Sequence, residues 1–480
     1  MWHLRRRVRA GGIAVGATAL TAASLLLCVL PARADTLESA LTQAYQNNPT
    51  LNSQRAVVRE TDEGVPQALS GYRPKVTITA TGGQQSLSST TVTNPSRISG
   101  TPPNYFTQSG TNQPYGAGAT ITQTLFNGFQ TANKTRQAES AVFAARETLR
   151  ATEQTVLLSA ATAYMNLLRD TAILDLQRRN VEVLQEQLRQ TRDRFNVGEV
   201  TRTDVAQAES SLAAGRSQVL SAEANYTASL ATYRQVIGVN PGKLAPGTPV
   251  DRLSPGDLAS AISISSATHP TVTTAQYNVD AALQQVKVAE GALLPTVSVT
   301  GSVAKNYNIL GTLNTVDNYA ASVLGQVSVP IYQGGAEYSL VRQAKETLGQ
   351  KRIDLDTARD QVRQTVVQSW GQLQAGKANI EATEAQVQAA EIALNGVREE
   401  ARVGQRTTLD VLNAQQVLVN ARVALVTAQH DRVVASYTLL AAVGRLSPHA
   451  LGLNVAVYDA KVHYHQVRDA WTGVRTPDGK

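Results

Sequence analysis

The sequence predicts an internally duplicated, mainly α-helical protein that also carries a β-sheet part of the kind found in membrane barrels, with four strands per chain. Three observations predict this class. Residues 129–196 and 335–402 contain no proline, and each stretch is long enough for a helix of about 100 Å. Segments in which apolar and small polar residues alternate strictly precede both stretches. The motifs of the first half of the chain recur in the second half.

The N-terminal segment, residues 1–34, has the pattern of a cleaved signal peptide. A basic region (Arg5–Arg9) precedes an apolar run over residues 11–30, and Ala32-Arg33-Ala34 forms a small-x-small cleavage site. We therefore expect an exported protein whose mature chain begins at Asp35. A retained membrane anchor is the alternative interpretation.

The net charge of the whole sequence overstates the basic character of the mature chain. The formal charge is +7, but five arginines lie before Asp35, which is the first acidic residue. Charge therefore does not indicate a nucleic-acid or anionic-membrane partner. The single cysteine, Cys28, also precedes Asp35, so we expect neither a disulfide nor thiol chemistry in the mature chain.

Four pairs of matching segments indicate the duplication. The first two pairs are 221 residues apart and the last two are 206 residues apart, so the first half carries an insertion between Val76 and Leu125. In chain order the pairs are Asn48-Pro49-Thr50-Leu51 with His269-Pro270-Thr271-Val272, Arg73-Pro74-Lys75-Val76 with Leu294-Pro295-Thr296-Val297, Leu125-Phe126-Asn127-Gly128 with Ile331-Tyr332-Gln333-Gly334, and the segment from Val197 to Val205 with that from Val403 to Val411.

Each half is predicted to contain helices, a strand hairpin, a long helix and a shorter returning helix. Pro49 and Pro270 are placed at helix starts, where a missing N–H is tolerated. Residues 82–116 are rich in Ser, Thr, Asn, Pro and Gly and are predicted to form a solvated loop. The predicted boundaries are 1–34 for the signal peptide; 35–238 for the first repeat, with a hairpin at about 75–126, a long helix over 129–196 and a helix over 201–238; 239–260 for a linker; 261–444 for the second repeat, with a hairpin at about 295–332, a long helix over 335–402 and a helix over 407–443; and 445–480 for a C-terminal segment.

The long helices have the apolar spacing of a coiled coil. In the first of them, apolar residues recur at threes and fours from Val156 through Leu167 and Leu174 to Leu188. Four strands cannot close a membrane barrel, because the smallest such barrels have about eight. The chain must therefore combine its strands with those of further copies, or form a soluble sheet instead.

A tight turn joins each long helix to the returning helix. A glycine in each turn supplies the left-handed residue that ends the long helix. A threonine three residues before an aspartate then starts the next helix, and helix capping is a sufficient explanation for both aspartates. The glycines and capping boxes are Gly198, Gly404, Thr201-x-x-Asp204 and Thr407-x-x-Asp410.

Several motifs together resemble those of the TolC family of outer-membrane efflux and secretion channels. The likeness extends from about residue 37 to residue 445. The motifs that carry it are Ala161-Thr162-Ala163-Tyr164, Arg194-Phe195-Asn196-Val197-Gly198, Leu294-Pro295-Thr296, Val329-Pro330-Ile331-Tyr332-Gln333-Gly334-Gly335 and Val403-Gly404-Gln405-Arg406-Thr407-Thr408-Leu409-Asp410-Val411-Leu412-Asn413-Ala414.

The resemblance implies a homotrimer with a twelve-strand barrel in the outer membrane and a twelve-helix periplasmic tunnel. Residues 239–260 and 445–480 would belong to an equatorial domain around the tunnel. Such a channel is the passive exit duct of a tripartite export system. A periplasmic adaptor protein joins it to an inner-membrane transporter of the ABC or proton-driven type, and the cargo is either drugs or secreted proteins.

The resemblance also implies a periplasmic gate at the helix tips. On the matching positions, Arg406 is a tether between helices, Asp204 is its partner and Asp410 forms an acidic ring. This chain departs from the family pattern at Ala401, where an aromatic tether is usual, and at Asn413, where a second acidic ring is usual. Both departures predict a looser gate with a lower affinity for cations.

Phe126 and Tyr332 lie at equivalent strand ends, and other tyrosines lie near the remaining ends. An aromatic girdle at the membrane interface is one interpretation of this placement. A packing plug where strand meets helix explains Phe126 and Tyr332 equally well.

Two other classes of protein compete with a channel. An enzyme is not favoured, because the chain lacks phosphate-loop, zinc-protease and nucleophile-elbow motifs. The close pair His463 and His465 has no third ligand nearby and is assigned to a surface strand, so we expect neither a metal site nor a cofactor. A periplasmic coiled-coil adaptor or scaffold would share the helices and the signal peptide, but it would not need paired strands beside every long helix.

The cleavage-site pattern predicts that protein isolated from the cell envelope begins at Asp35. N-terminal sequencing and intact-mass measurement test this expectation. A retained Met1 or a lipid attached to Cys28 would contradict it.

Overall fold

The computed structural model describes residues 35–92, 105–309, 315–477 and 479. The predicted signal peptide and the middle of the predicted loop over 82–116 lie outside these residues. Within them the chain is mainly helical, as expected, and it has one sheet of four strands and one of two.

The elements follow the predicted order in both halves, and the ends of the four long and returning helices lie within one residue of the predicted ends. The first half contains α1 (Leu37–Asn47), α2 (Pro49–Asp62), α3 (Gly64–Leu69), β1 (Lys75–Gly82), β2 (Gln85–Val92), β3 (Tyr105–Asn112), β4 (Tyr115–Asn127), α4 (Gln130–Asn196) and α5 (Arg202–Ile237). The second half contains α6 (Leu258–Thr268), α7 (Pro270–Gly291), β5 (Thr296–Ile309), β6 (Thr315–Ser328), α8 (Ala336–Arg402), α9 (Thr408–Ala442) and α10 (Ala460–Val467).

Equivalent caps begin α2 and α7. The side chain of Asn48 accepts a backbone N–H bond of 2.9 Å from two residues further on, and Pro49 is the first residue of α2. At the matching point Nδ1 of His269 accepts the corresponding bond at 3.2 Å, ahead of Pro270. Burial and then the charge of Arg150 lower the pKa of His269 to about 4, so its ring stays neutral and can accept this bond at neutral pH.

The larger sheet has the strand order β1-β4-β5-β6, and all neighbouring strands are antiparallel. Its register aligns Val76 with Ile121, Ile121 with Gly301, and Gly301 with Val323, so one face of the sheet is apolar. The opposite face carries hydroxyl and amide side chains such as that of Thr120. β1 and β6 are the edges of this sheet, and no other described strand pairs with their outer sides.

The segment between β1 and β4 forms a second, two-stranded sheet. β2 and β3 pair along eight residues each, and the hydroxyls of Thr90 and Thr107 lie 2.9 Å apart across the pair. The prediction of a loop over residues 82–116 was therefore wrong for both strands, and the described chain has six strands instead of four. A composition rich in Ser and Thr indicates exposure, but β-branched Thr also suits an exposed strand.

The long helices form thin layers. α4 and α8 each contain 67 residues, and α5 and α9 fold back along them. Among the described residues, no helix combines the length and the apolar character that crossing a bilayer as a helix requires. The predicted apolar seam of α4 is buried at Val156, Ala160, Ala163, Leu167, Leu174, Leu184 and Leu188.

The main core lies about half-way along α4, where α1, α2, α5 and α9 pack against it. Tyr45, Tyr164 and Tyr233 are among its fully buried side chains. Leu244 of the linker and Leu446 of the C-terminal segment pack into the same core. Both irregular segments therefore belong to this central region, which we call the equatorial core.

Asp35 is bound to the linker by a parallel bridge. Its N–H donates to the carbonyl of Lys243 at 2.9 Å, and its carboxylate accepts a bond from the N–H of Gly242 at 2.6 Å. The hydroxyl of the buried Tyr164 is directed at the carbonyl oxygens of Asp35 and Ala245, at 2.7 and 2.6 Å. The start of the described chain is thereby attached to the equatorial core.

Replacing Tyr164 with Phe should destabilise the equatorial core by about 1–3 kcal/mol, because two carbonyl groups lose their shared donor. Tyr233→Phe is the matched control. The hydroxyl of Tyr233 is buried without a hydrogen-bond partner among the described residues, so removing it should be neutral or stabilising. Thermal unfolding in detergent compares the two variants, and equal losses of stability would contradict this assignment.

Candidate functional site

The turns that end α4 and α8 have the same backbone structure. Gly198 and Gly404 have φ angles of +80° and +79°, in the left-handed region that favours glycine. In each turn the N–H of the residue after the glycine donates to a carbonyl five residues earlier, at 2.9 Å. This bond is typical of the Schellman motif, which satisfies the last carbonyl groups of a helix. The two turns form the tips of two helical hairpins, α4–α5 and α8–α9.

Asp204 and Asp410 each form a reciprocal capping box at the start of the returning helix. Oδ2 of Asp204 accepts bonds from the N–H and the hydroxyl of Thr201 at 2.9 and 2.7 Å, and Oδ2 of Asp410 accepts the same bonds from Thr407 at 2.9 and 2.8 Å. The pKa of Asp204 is lowered chiefly by the hydroxyl of Thr201, and that of Asp410 chiefly by the N–H of Thr407. Both carboxylates are therefore ionised at neutral pH, and each capping box contains one negatively charged group.

Arg406 forms an ion pair within its own turn. Its Nε lies 2.9 Å from Oε2 of Glu400, near the end of α8. The first turn has a comparable pair, in which Nη2 of Arg194 lies 2.6 Å from Oε1 of Glu199. The sequence predicted neither pair, because Arg194 belongs to the helix that precedes its turn and Arg406 was assigned to Asp204. Among the ion pairs of the described residues, none joins Arg406 to Asp204, so the predicted tether is not formed within the chain.

Asn413 lies one helical turn after Asp410 on α9, so the two side chains share a face of that helix. Asn413 is exposed, whereas Asp410 is half-buried, as is Ala401 in the last turn of α8. Leu412 packs against α4 and α5 at residues that include Leu184. This apolar contact holds the second tip beside the first and leaves Asp410 and Asn413 on the surface of the pair.

The predicted girdle residues lie at the strand ends nearest the helices, which we call the lower ends of the sheet. Phe126 makes an edge-to-face contact with Phe129 at 5.1 Å between ring centroids, so it takes part in packing at the junction of β4 and α4. Tyr332, just after β6, is 75% exposed. At the upper ends, Tyr115 and Tyr307 stack with their centroids 4.8 Å apart. Aromatic rings therefore lie at both ends of the larger sheet.

A buried charged cluster, which sequence analysis missed, holds the C-terminal segment. Asp62 of α2 is fully buried, and its Oδ2 lies 3.0 Å from Nδ1 of His463 on α10. Arg146 of α4 lies 3.9 Å from the other carboxylate oxygen. Burial raises the pKa of Asp62, while His463 and Arg146 oppose that shift. The assignment of His463 and His465 to a strand was wrong, because Asp459 caps a short helix there and only His463 turns inward.

The long hairpins and the two-faced sheet define a protein of the outer-membrane channel class, and the sequence match agrees. The chain belongs to the outer membrane efflux protein family, whose model matches residues 40–239 and 261–445. It is similar to the outer membrane efflux protein BepC of Brucella suis biovar 1 (strain 1330), with 44% identity over 466 residues that cover 96% of this chain and 98% of BepC.

Similarity to two further proteins supports this family membership. The outer membrane protein TolC of Escherichia coli (strain K12) is 29% identical over 319 residues, which cover 64% of each chain. The crystal structure of the Campylobacter jejuni CmeC outer membrane channel matches with a TM-score of 0.74 and 18% identity, covering 90% of this chain and 89% of CmeC. At that identity the structural likeness shows the shared fold.

Family membership decides between the classes that the sequence left open. The resemblance to the TolC family is confirmed, and the chain is an outer-membrane protein that acts as an efflux or secretion channel. The matched proteins are channels, not enzymes. The alternative of a periplasmic adaptor or scaffold is set aside.

Replacing Thr201 with Ala should loosen the first tip, because a lost threonine cap costs a helix about 1 kcal/mol. Thr203→Ala is the matched control, since Thr203 is exposed in the same turn and takes no part in the capping box. Amide hydrogen exchange at the start of α5 should become faster in the first variant alone. The pKa of Asp204 is lowered in the folded protein, so its charge stabilises the tip fully above the ordinary Asp pKa. This stabilisation is lost as the pH falls through the lowered pKa. Equal exchange rates in both variants would contradict the cap.

Proposed function

We propose that three copies of the chain assemble into one outer-membrane duct. Their four-stranded sheets join into a twelve-stranded barrel, and α4, α5, α8 and α9 of each copy form a twelve-helix tunnel in the periplasm. The duct passively conducts drugs or secreted proteins to the outside. It receives them from an inner-membrane transporter, of the ABC or proton-driven type, to which a periplasmic adaptor protein connects it.

The observation that carries this proposal is the larger sheet, which has one apolar face and two edges without partners in the described chain. In lipid, every backbone N–H and C=O group must be paired, so an open sheet edge is not tolerated. Pairing β6 of one copy with β1 of the next satisfies both edges and closes a barrel once several copies contribute. The apolar face then contacts lipid, and the hydroxyl-rich face lines the lumen.

The long helices support the same proposal. Each hairpin reaches about 100 Å from the sheet, far beyond the length of an ordinary globular helix. A hairpin of this length has its tips remote from the membrane-bound sheet. The tips are therefore the place where a periplasmic adaptor and an inner-membrane transporter can reach the duct.

The gate belongs to these tips. In the proposed trimer, Arg406 tethers the second tip to Asp204 of an adjacent protomer, and three copies of Asp410 form an acidic ring around the opening. The exposed position of Arg406 and the ionised states of the half-buried Asp204 and Asp410 support this arrangement. Exposed ion pairs are individually weak, so a docked adaptor can break them. Because Ala401 and Asn413 supply neither an aromatic tether nor a second ring, the gate of this channel is held loosely.

Native mass spectrometry of the detergent-solubilised protein should show three chains, because a monomer leaves the edges of β1 and β6 unpaired. Boiling should replace the trimer band on denaturing gels with a monomer band of different mobility. A stable monomer that partitions away from the outer-membrane fraction would contradict the barrel.

Arg406→Ser and Asp204→Asn should each raise single-channel conductance several-fold in planar bilayers, because each removes one side of the tether. The amide oxygen of an asparagine at this third helical position can still accept the bond from the N–H of Thr201, so Asp204→Asn changes the charge with little effect on the fold of the tip. Arg192→Ser is the matched control, since it removes an exposed ion pair with Glu209 of α5 but no group of the tether. Unchanged conductance in the first two variants would contradict the tether and would mean that Arg406 and Asp204 only stabilise their own turns.

Asp410→Asn should lower the preference for cations and weaken block by multivalent cations, because the proposed ring loses all of its charge. Asn413→Asp should act in the opposite direction by adding a second ring one helical turn away. Reversal potentials across a salt gradient, and titration with a trivalent cation, measure both effects. The ring assignment fails if neither substitution changes selectivity.

A further inference from the structure

The C-terminal segment extends from the equatorial core to the lower end of the larger sheet. Its helix, α10, packs against α2 through the pair of His463 with Asp62. Beyond the helix, Nη2 of Arg468 lies 3.6 Å from Oε1 of Glu139 on α4. These contacts fix the direction in which the chain continues from residue 468 to residue 477.

Arg73 holds this segment at the start of β1. Its Nη1 donates to the carbonyl of Ala470 at 2.6 Å, and its guanidinium carbon lies 4.7 Å from the centre of the Trp471 ring. Arg73 precedes the first residue of β1, Lys75, by two positions. Trp471 is therefore held within a side chain's length of the larger sheet.

A hydrogen bond indicates which face of the sheet this junction adjoins. Nε2 of Gln123 donates to the carbonyl of Tyr72 at 3.0 Å. Gln123 is aligned with Val299 and lies two residues after Ile121, so it belongs to the apolar face. Tyr72, and with it the neighbouring Arg73, adjoins the face that contacts lipid in the proposed barrel.

The side chains gathered at this junction are largely exposed. Trp471 is 68% exposed and Tyr72 is 53% exposed, and Val474, which follows Trp471 by three residues in the chain, is fully exposed. Tryptophan and tyrosine are enriched at membrane–water interfaces, where an apolar ring with one polar group suits both environments. The guanidinium group of Arg73 adds positive charge at the junction, and Arg475 follows Val474 in the chain; such charges attract phosphate headgroups.

We propose that Trp471 and Val474 form a lipid-contact site of the C-terminal segment, with phospholipids of the periplasmic leaflet of the outer membrane as its partner. The site rests on the proposed function, since it requires the apolar face of the sheet to lie in that membrane. Arg73 positions the indole ring at the headgroup level. The segment thereby ties the equatorial core to the membrane surface, beside the lower aromatic residues of the sheet.

Tryptophan fluorescence tests this site, because the sequence contains only Trp2, Trp370 and Trp471, and Trp2 lies in the predicted signal peptide. Trp370→Phe leaves Trp471 as the one reporter in the processed chain. Trp471→Phe is the matched control and leaves Trp370, which lies 34 residues into α8 and so about 50 Å from its start at the sheet. Both variants are reconstituted into phosphatidylethanolamine–phosphatidylglycerol vesicles with and without lipids brominated in the upper acyl chain.

The expected result is that brominated lipid removes most of the Trp471 emission and leaves the Trp370 emission unchanged. Adding Arg73→Gln to the Trp370→Phe variant should reduce the quenching, because the indole loses its positioning contact. Unquenched Trp471 in vesicles that conduct ions would overturn this inference alone. A blue shift of that emission on trimer formation, without quenching by lipid, would also overturn it and would assign Trp471 to a contact between protomers. Absence of both conductance and quenching would overturn the proposed barrel together with this site.

Discussion

The backbone groups along the outer sides of β1 and β6 are the constraint on which the rest of the architecture depends. One chain supplies a sheet with an apolar face, yet within its described residues nothing pairs with these two edges. A membrane does not tolerate unpaired N–H and C=O groups, and four strands are too few to close on themselves. In the proposed assembly, copies of the chain pair edge to edge, and this pairing satisfies the backbone groups of both edges.

The long helices pack in thin layers, and most of their length has no thick hydrophobic core. Small residues and a narrow apolar seam allow α4 and α8 to pack in thin layers, and the extensive core is confined to the equatorial region around Tyr45, Tyr164 and Tyr233. Towards the tips, burial is limited to small clusters such as that around Leu412. Regions with few buried contacts open at low cost in free energy. The small number of buried contacts at the tips, compared with the equatorial core, is consistent with the proposed gate at the tips.

The two halves of the duplication differ in two additions, which both belong to the first half. The first half alone carries the β2–β3 hairpin, which extends the chain beyond the larger sheet at its upper end. The C-terminal segment also packs against the first half, where it contacts Asp62, Arg146 and Arg73. Helix starts, tip turns and capping boxes have stayed equivalent in both halves. The helix starts, tip turns and capping boxes therefore occur in both halves, whereas the β2–β3 hairpin and the contacts with the C-terminal segment occur in the first half alone.

The sequence by itself determined the features that depend on neighbouring residues. Proline with its cap, the left-handed glycine of each tip and the threonine–aspartate boxes are local, so short motifs specify them; alternation likewise specifies the two faces of a strand. Only the tertiary structure decided which distant groups meet. Asp62 and His463 are 401 residues apart, and Arg73 and Ala470 are 397 residues apart. Periodicity carries no information about such partners, because they depend on how whole elements pack. For the same reason the Ser- and Thr-rich segment could not be recognised as β2 and β3, since only pairing with each other makes these exposed residues strands.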